Sequence, residues 1–309
     1  MKAAIAGGTG FIGKALTNEL VKNGYDVYIL TRNIDNKKET DSIHYVQWLA
    51  AGAAPEKQLQ GVSVFINLTG ESLNSGRWTD ERKKRILDSR ISSTREIIRI
   101  MNALPDKSSA LINASAIGIY PNSDTDTFTE KSRAVGNDFL THTVNAWEKE
   151  AVQADKAGIR TVLARFGIIL GKEDGALPRM AMPYRLFAGG KIGSGRQWMS
   201  WIHVKDAARA LRFAAENGML EGPLNVTAPN PVRMNDFGKT LAKVLGRPHW
   251  LFVPAPALKA GLGEMSTLIL DGQRVLPETL LQSGFQFEFP LVRGALDDLY
   301  NGRGIIKRD

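Results

Sequence analysis

Lys2-Ala-Ala-Ile-Ala-Gly7-Gly-Thr9-Gly10-Phe11-Ile12-Gly13-Lys-Ala-Leu16 runs from an apolar strand, through a glycine-spaced loop, into an amphipathic helix. Three glycines at this spacing mean little alone. Between a strand and a helix they mark a dinucleotide loop. Gly7 permits the tight turn, Gly10 lets the backbone approach a pyrophosphate, and Gly13 allows close packing of helix against sheet. The helix start offers free N–H groups and the positive end of its dipole to phosphate. Thr9, Phe11 and Ile12 complete the loop, and Ile12, Leu16 and Leu20 are expected to face the sheet.

Working outward, short Val/Ile/Leu-rich runs alternate with helical patterns. Strands are expected at Lys2–Gly7, Asp26–Thr31, Ile43–Trp48, Val62–Thr69, Leu111–Ser115, Arg160–Phe166 and Leu224–Thr227. Helices are expected at Phe11–Asn23, Asp80–Asn102, Asp138–Ala157 and Asp206–Asn217. Nearly apolar strands are those of a parallel sheet covered on both faces. The fold class that follows is α/β, a Rossmann doubly wound parallel sheet with a small, discontinuous second domain. The glycine-rich stretch 172–200 and the proline-split tail 229–309 are assigned to that second domain, and 1–171 plus 201–228 to the dinucleotide domain.

The end of the second strand selects the cofactor. NAD sites place a carboxylate there for the ribose hydroxyls. This strand ends in Thr31-Arg32-Asn33, and Asp35 comes too late. Arg32 can clamp a 2′-phosphate, with Thr31 adding a hydroxyl, so NADP is the expected cofactor. Arg90 falls on the apolar stripe of its helix, four residues from both Ile86 and Thr94. A cation there needs a partner. A cofactor phosphate, an internal carboxylate and a stem that snorkels to water all remain open.

The bulk composition narrows the classes. The chain has 309 residues, 43% hydrophobic and 23% charged. It has no cysteine, which excludes disulfides, thiolate nucleophiles and iron–sulfur centres. No stretch is long and apolar enough for a membrane span, and no signal peptide is recognisable, so a cytoplasmic protein is expected. The net charge of +8 is read chiefly as solvated surface. The run Arg82-Lys-Lys-Arg85 is mostly a helix face flanked by acids, and no nucleic-acid module is present. No His or carboxylate grouping has metal-ligand spacing, so no metal is expected.

The loop Gly7–Gly13 resembles that of the extended short-chain dehydrogenase/reductases, the NAD-dependent epimerase/dehydratase superfamily. Further runs narrow the resemblance to an atypical subfamily labelled sugar-nucleotide epimerase or cell-division-inhibitor-like. They are Asn67-Leu-Thr-Gly-Glu71, Gly76-Arg-Trp-Thr79, Ser89-Arg90, Ala114-Ser-Ala-Ile-Gly118, Trp147-Glu148, Arg165-Phe-Gly167, Trp201-Ile-His-Val204, Gly263-Glu-Met265 and Gly272-Gln-Arg-Val275. The resemblance implies that Leu68, Thr69 and Gly70 line the adenosine and ribose. It implies that Ala114 and Ser115 lie near the nicotinamide, and that Arg165 and Phe166 close the pocket. Glu71 is left between binding a ribose and capping a helix.

The superfamily's chemistry rests on Tyr-x-x-x-Lys in the fifth helix. Here that helix contains no tyrosine, and Leu140 and Val144 hold the corresponding positions. Ser115 matches the family's active-site serine and is the catalytic candidate. Tyr120, His142 and His203 are weaker ones. Two functions follow. One is an NADP(H)-binding epimerase or reductase acting on a polar or nucleotide-sugar substrate, with Arg77, Arg196 and Arg233 available to an anion. The other is a non-catalytic NADP(H)-responsive binding protein.

Overall fold

The computed structural model describes residues 1–106 and 108–302. Its core is one parallel sheet of seven strands. They are β1 (Lys2–Ala6), β2 (Asp26–Thr31), β3 (Ile43–Gln47), β4 (Val64–Asn67), β5 (Ala110–Ala116), β6 (Arg160–Phe166) and β7 (Gly222–Val226), in the spatial order 3-2-1-4-5-6-7. The order reverses between β1 and β4, and open sheets bind ligands at such a switch point, outside the carboxyl ends of the strands.

Strand alternation divides the core. Ile5, Val27, Ile29 and Ile66 face α1 (Phe11–Lys22), whose Leu16 and Leu20 are fully buried. Ala4, Leu30, Phe65 and Leu111 face α2 (Asp80–Ala103) through Ile97 and Met101. The helix α3 (Phe139–Ala151) packs beside α2. Thr79 and Asp138 cap these two helices by accepting the N–H of Arg82 at 3.3 Å and of Thr141 at 2.8 Å.

Most boundaries shift by one or two residues from the sequence reading, and two of the differences have clear local reasons. The fourth strand stops at Asn67 because the Asn67 side chain accepts both the N–H (3.1 Å) and the hydroxyl (2.5 Å) of Thr69, turning the chain out of the ladder. α3 tightens at Val152–Ala157 into a 3₁₀ turn that closes on Gly158, φ 75°.

A second apolar cluster joins α4 (Leu177–Arg185), α6 (Met234–Leu245) and the last helix, Val292–Asn301, through Leu177, Phe237, Leu241 and Leu296. The tail between these helices, however, returns to the sheet. Arg274–Val275 pairs in parallel with Thr127–Phe128, and Leu280 and Phe285 enter the sheet-side core. The tail is thus shared between both clusters. Positions 303–309 of the expected second domain lie outside the described residues.

The helix α5 (Val204–Glu216) ties the tail down. Buried Asp206 accepts the N–H of Glu288 (3.0 Å) and of Phe289 (2.8 Å), and His203 stacks on Phe289 with ring centroids 4.0 Å apart. His203 Nδ1 accepts the Lys205 N–H at 3.1 Å. Its Nε2 lies 3.3 Å from an Asp298 oxygen but is not directed into a hydrogen bond. Burial pulls the His203 pKa down to about 4, outweighing the nearby Asp298 carboxylate. The unfolded chain therefore binds the extra proton first. Resistance to urea is expected to be complete above about pH 6.5 and to decline as pH falls towards about 4. His203→Gln should remove this part of the slope, and an unchanged slope would show that other groups carry it.

Candidate functional site

The glycine loop has no room for side chains. Gly7 sits at φ +81°, and a Cβ there would lie 2.9 Å from the Leu68 carbonyl oxygen. A Cβ on Gly13 would lie 2.2 Å from the Gly7 oxygen, so Gly13 packs α1 against the loop itself. Gly10 is the N-cap of α1 and supplies no side-chain cap. The first-turn N–H groups are left for another acceptor, as an anion site requires. Ile12 packs partly buried against the sheet-side core.

A cleft of about 870 Å³ opens beside this loop at the carboxyl ends of β1, β2 and β4. Thr9, Gly10, Thr31, Arg32, Leu68 and Thr69 help to line it, with Gly70 and Glu71. Thr31 donates its hydroxyl to the Asn33 carbonyl (3.0 Å), and Asn33 accepts the Asp35 N–H (2.6 Å), so the loop bends tightly after β2. Arg32 is exposed, and among the described residues its guanidinium has no ion-pair partner. Lys37 lines the same cleft. The Glu71 carboxylate turns towards α2 instead, 3.3 Å from Arg82 and 3.7 Å from Arg85.

That last pairing changes the reading of the basic run. Arg82 is buried and donates to the Ser72 carbonyl (2.7 Å) and the Ser75 hydroxyl (2.8 Å), and Lys83 pairs with Glu264 at 2.5 Å. These cations hold the 71–75 loop and the tail rather than facing only solvent.

A second cavity, of about 420 Å³, lies beyond the helix start. Phe11, Arg90, Ala116, Leu140, Val144 and Phe166 form much of its wall. Arg90 Nη1 donates to the carbonyls of Ile86 (2.9 Å) and Glu71 (3.1 Å), and the guanidinium lies 5.1 Å from the Trp147 ring centroid. Burial lowers its pKa to about 10, with the Glu71 carboxylate opposing this from a distance. Arg90 thus fastens the end of β4 to α2 while the rest of its fork borders the cavity. Arg90→Met is expected to weaken NADPH and NADH binding alike, by about fivefold, or roughly 1 kcal/mol, as read by calorimetry. A large loss of thermal stability with unchanged affinity would reduce Arg90 to an internal brace.

Ser115 is not in this wall. Its hydroxyl donates to Glu148 Oε1 at 2.5 Å, beneath the sheet end. Arg165 also turns inward, gripping Glu148 through Nε and Nη2, each at 2.8 Å, and reaching the Tyr120 hydroxyl at 2.9 Å. Tyr120 in turn donates to Asn225 at 2.9 Å and stacks on Phe128. Burial raises the Tyr120 pKa more than Arg165 lowers it. This closed network supports β5 and β6, and Ala116, one residue on from Ser115, faces the cavity. Ala114 is packed in the core, His142 is exposed on α3, and His203 belongs to the tail latch.

Among the described residues, no tyrosine, lysine or histidine lines the cavity. Its ionisable side chains are Arg90, Asp138 and Asp271. Partial burial raises the Asp271 carboxyl above its ordinary pKa, and Asp138 adds to the rise against Lys259. Sequence reading passed over Asp271 because it belongs to no helix or strand pattern. Its position beside Gly272-Gln-Arg-Val275 was the available signal.

Two of the three arginines considered for an anion are engaged elsewhere. Arg77 donates to the Gly261 carbonyl (3.0 Å). Arg233 donates to the carbonyls of Asp124 (2.9 Å) and Arg196, and lies 3.7 Å over the Trp198 ring. Arg196 is exposed and lines neither cavity. No group of three or more metal-ligating side chains occurs among the described residues. None of the described helices is long and apolar enough to cross a membrane.

Comparison with known proteins places the family and the fold. Residues 3–226 match the NAD dependent epimerase/dehydratase family, and residues 253–299 match a domain of unknown function, DUF1731. The chain is 52% identical over 303 residues to the epimerase family protein YfhF of Bacillus subtilis, covering 98% of this chain and 99% of that one. It is 43% identical over 295 residues to the epimerase family protein SERP0438 of Staphylococcus epidermidis, covering 96% and 97%. The crystal structure of human epimerase family protein SDR39U1 (isoform 2) with NADPH superposes with a TM-score of 0.86 at 30% identity, covering 98% of this chain and all of that one.

Proposed function

We propose, from the premise that this chain belongs to the NAD dependent epimerase/dehydratase family, that it is an NADP(H)-dependent oxidoreductase or epimerase working without the tyrosine–lysine pair. The observation that carries the cofactor choice is the end of β2, where Arg32 stands with Lys37 nearby and Glu71 is turned away. The human relative's NADPH supports the same choice.

The residues present fit the cofactor. Gly7 and Gly13 let the loop close tightly on Leu68 and on itself, a Cβ on Gly10 would already press on the Gly7 oxygen at 3.2 Å, and the start of α1 carries no side-chain cap. Gly10 and the first turn of α1 would hold the pyrophosphate. Thr31 and Arg32 would hold the 2′-phosphate, and Leu68, Thr69 and Gly70 the adenosine side of the cleft. Bound there, NADPH supplies a hydride to an electrophilic carbon.

The protein's own contribution lies in the second cavity. Leu140 and Val144 exclude water from the face where the family places its acid–base residues. Ser115 and Arg165 act beneath the cavity, holding Ala116 and Phe166 in its wall. Asp271 is the group that moves the proton, because it lines the cavity and, among the described residues, its carboxylate makes no side-chain hydrogen bond, whereas the Asp138 carboxylate is occupied in capping α3. The alternative, a non-catalytic NADP(H)-responsive binding protein, rests on the same lack of tyrosine and lysine. The experiment that separates them follows NADPH oxidation at 340 nm with a panel of carbonyl compounds, and epimer formation by chromatography with a panel of nucleotide sugars, since epimerisation regenerates the cofactor. Turnover of any of them supports the enzyme; tight NADPH binding with none turned over supports the binding protein.

A further inference from the structure

A third cavity, of about 400 Å³, lies in the second apolar cluster, between α4, α6 and the 253–269 segment. Its lining is apolar almost throughout. Met180, Met234, Phe237, Leu258, Met265 and Ile269 are representative. Arg179 is the one charged residue among the described lining residues, and it donates to the Asn74 carbonyl at 2.8 Å. The Tyr184 hydroxyl is bonded to His249 Nδ1 at 3.0 Å. Asn74, Ile168, Ala176 and Leu268 line both this cavity and the 420 Å³ cavity bordered by Phe166 and Asp271, so the two adjoin.

A sugar nucleotide would need hydrogen-bonding partners for a ribose and cations for a diphosphate. The few polar groups of this cavity are largely engaged, Arg179 with the Asn74 carbonyl and Tyr184 with His249, and Arg77 and Arg233 already serve backbone carbonyls. A hydrocarbon chain, by contrast, would lose its contact with water at every methylene. Flexible methionines can fit around such a chain without a fixed shape.

We infer that the substrate is an amphipathic carbonyl compound whose polar end lies beside Asp271 and whose aliphatic chain fills the cavity between α4 and α6. This rests on the 420 Å³ cavity being the substrate site. A volume of about 400 Å³ holds about a dozen water-sized groups at roughly 30 Å³ each, so a medium-length chain fits.

The test is calorimetric binding of butan-2-one, hexan-2-one, octan-2-one and decan-2-one to the NADP⁺-loaded protein, with UDP-glucose alongside. Affinity is expected to rise by about fourfold per added methylene and to exceed that for UDP-glucose. Leu258→Trp and Met265→Trp, which fill the cavity from two sides, should each flatten the slope while leaving NADPH affinity unchanged, the latter also showing that the variant is folded. Affinity independent of chain length, or UDP-glucose binding more tightly than decan-2-one, would overturn the inference. A chain-length slope with no NADPH oxidation by any of these ketones would leave an aliphatic ligand site but overturn its reading as the substrate's.

Discussion

Asp271→Asn is expected to lower turnover by about 100-fold or more on any carbonyl that the protein reduces, since a positioned acid–base group typically contributes 10²–10⁴-fold. Asparagine keeps the size of the side chain and loses the titratable proton. Asp271 is exposed and lines the second cavity rather than the cleft beside the glycine loop, so the NADPH dissociation constant should stay the same. The pH profile gives an independent readout. In reduction the carboxyl must be protonated to donate, so the rate should fall as pH rises through its raised pKa. The variant should lack this limb. Equal turnover in the two proteins would move the proton to substrate or water, and a matching loss of NADPH affinity would make Asp271 part of the binding site instead.

Arg32→Ala is expected to weaken NADPH binding by roughly 10- to 150-fold, a loss of about 1.5–3 kcal/mol for one charge-assisted contact. NADH binding should change little, because the guanidinium has nothing to meet on a cofactor without the 2′-phosphate. The side chain is exposed and makes no ion pair among the described residues, so its removal should leave the thermal stability intact. Arg32→Lys should recover only part of the affinity, since a lysine cannot form the two-pronged contact. Equal losses for both cofactors would place Arg32 outside the phosphate site.

The fold was largely legible because its signals are local. Apolar runs of four to seven residues alternate with helical periods, and a parallel doubly wound sheet follows from that alternation alone. β2 and β6 begin and end where the pattern breaks. The end of β4 was not legible, because Asn67 turns the chain with a side chain whose partner lies two residues ahead. The tail was harder still. Its short pairing with Thr127–Phe128 joins segments 147 residues apart, and nothing near Arg274 announces its partner.

The site divides in the same way. The glycine cradle and Arg32 are local features at the ends of strands, so spacing located them. Ser115 and Arg165 sit at strand ends too, but alternation cannot tell which neighbour faces a cavity once a strand ends. Glu148, on a helix 33 residues after Ser115, decides it by drawing both side chains inward. The third cavity left no motif, because Met180, Met234 and Met265 come from three separate segments and read individually as ordinary core.

The central claim is an NADP(H) site built on Gly7–Gly13 and Arg32. Its most direct test is a pair of titrations of the unmodified protein with NADPH and NADH under identical salt. The account predicts at least about tenfold tighter binding of NADPH, the equivalent of one charge-assisted contact. Equal affinities, or tighter binding of NADH, would contradict it.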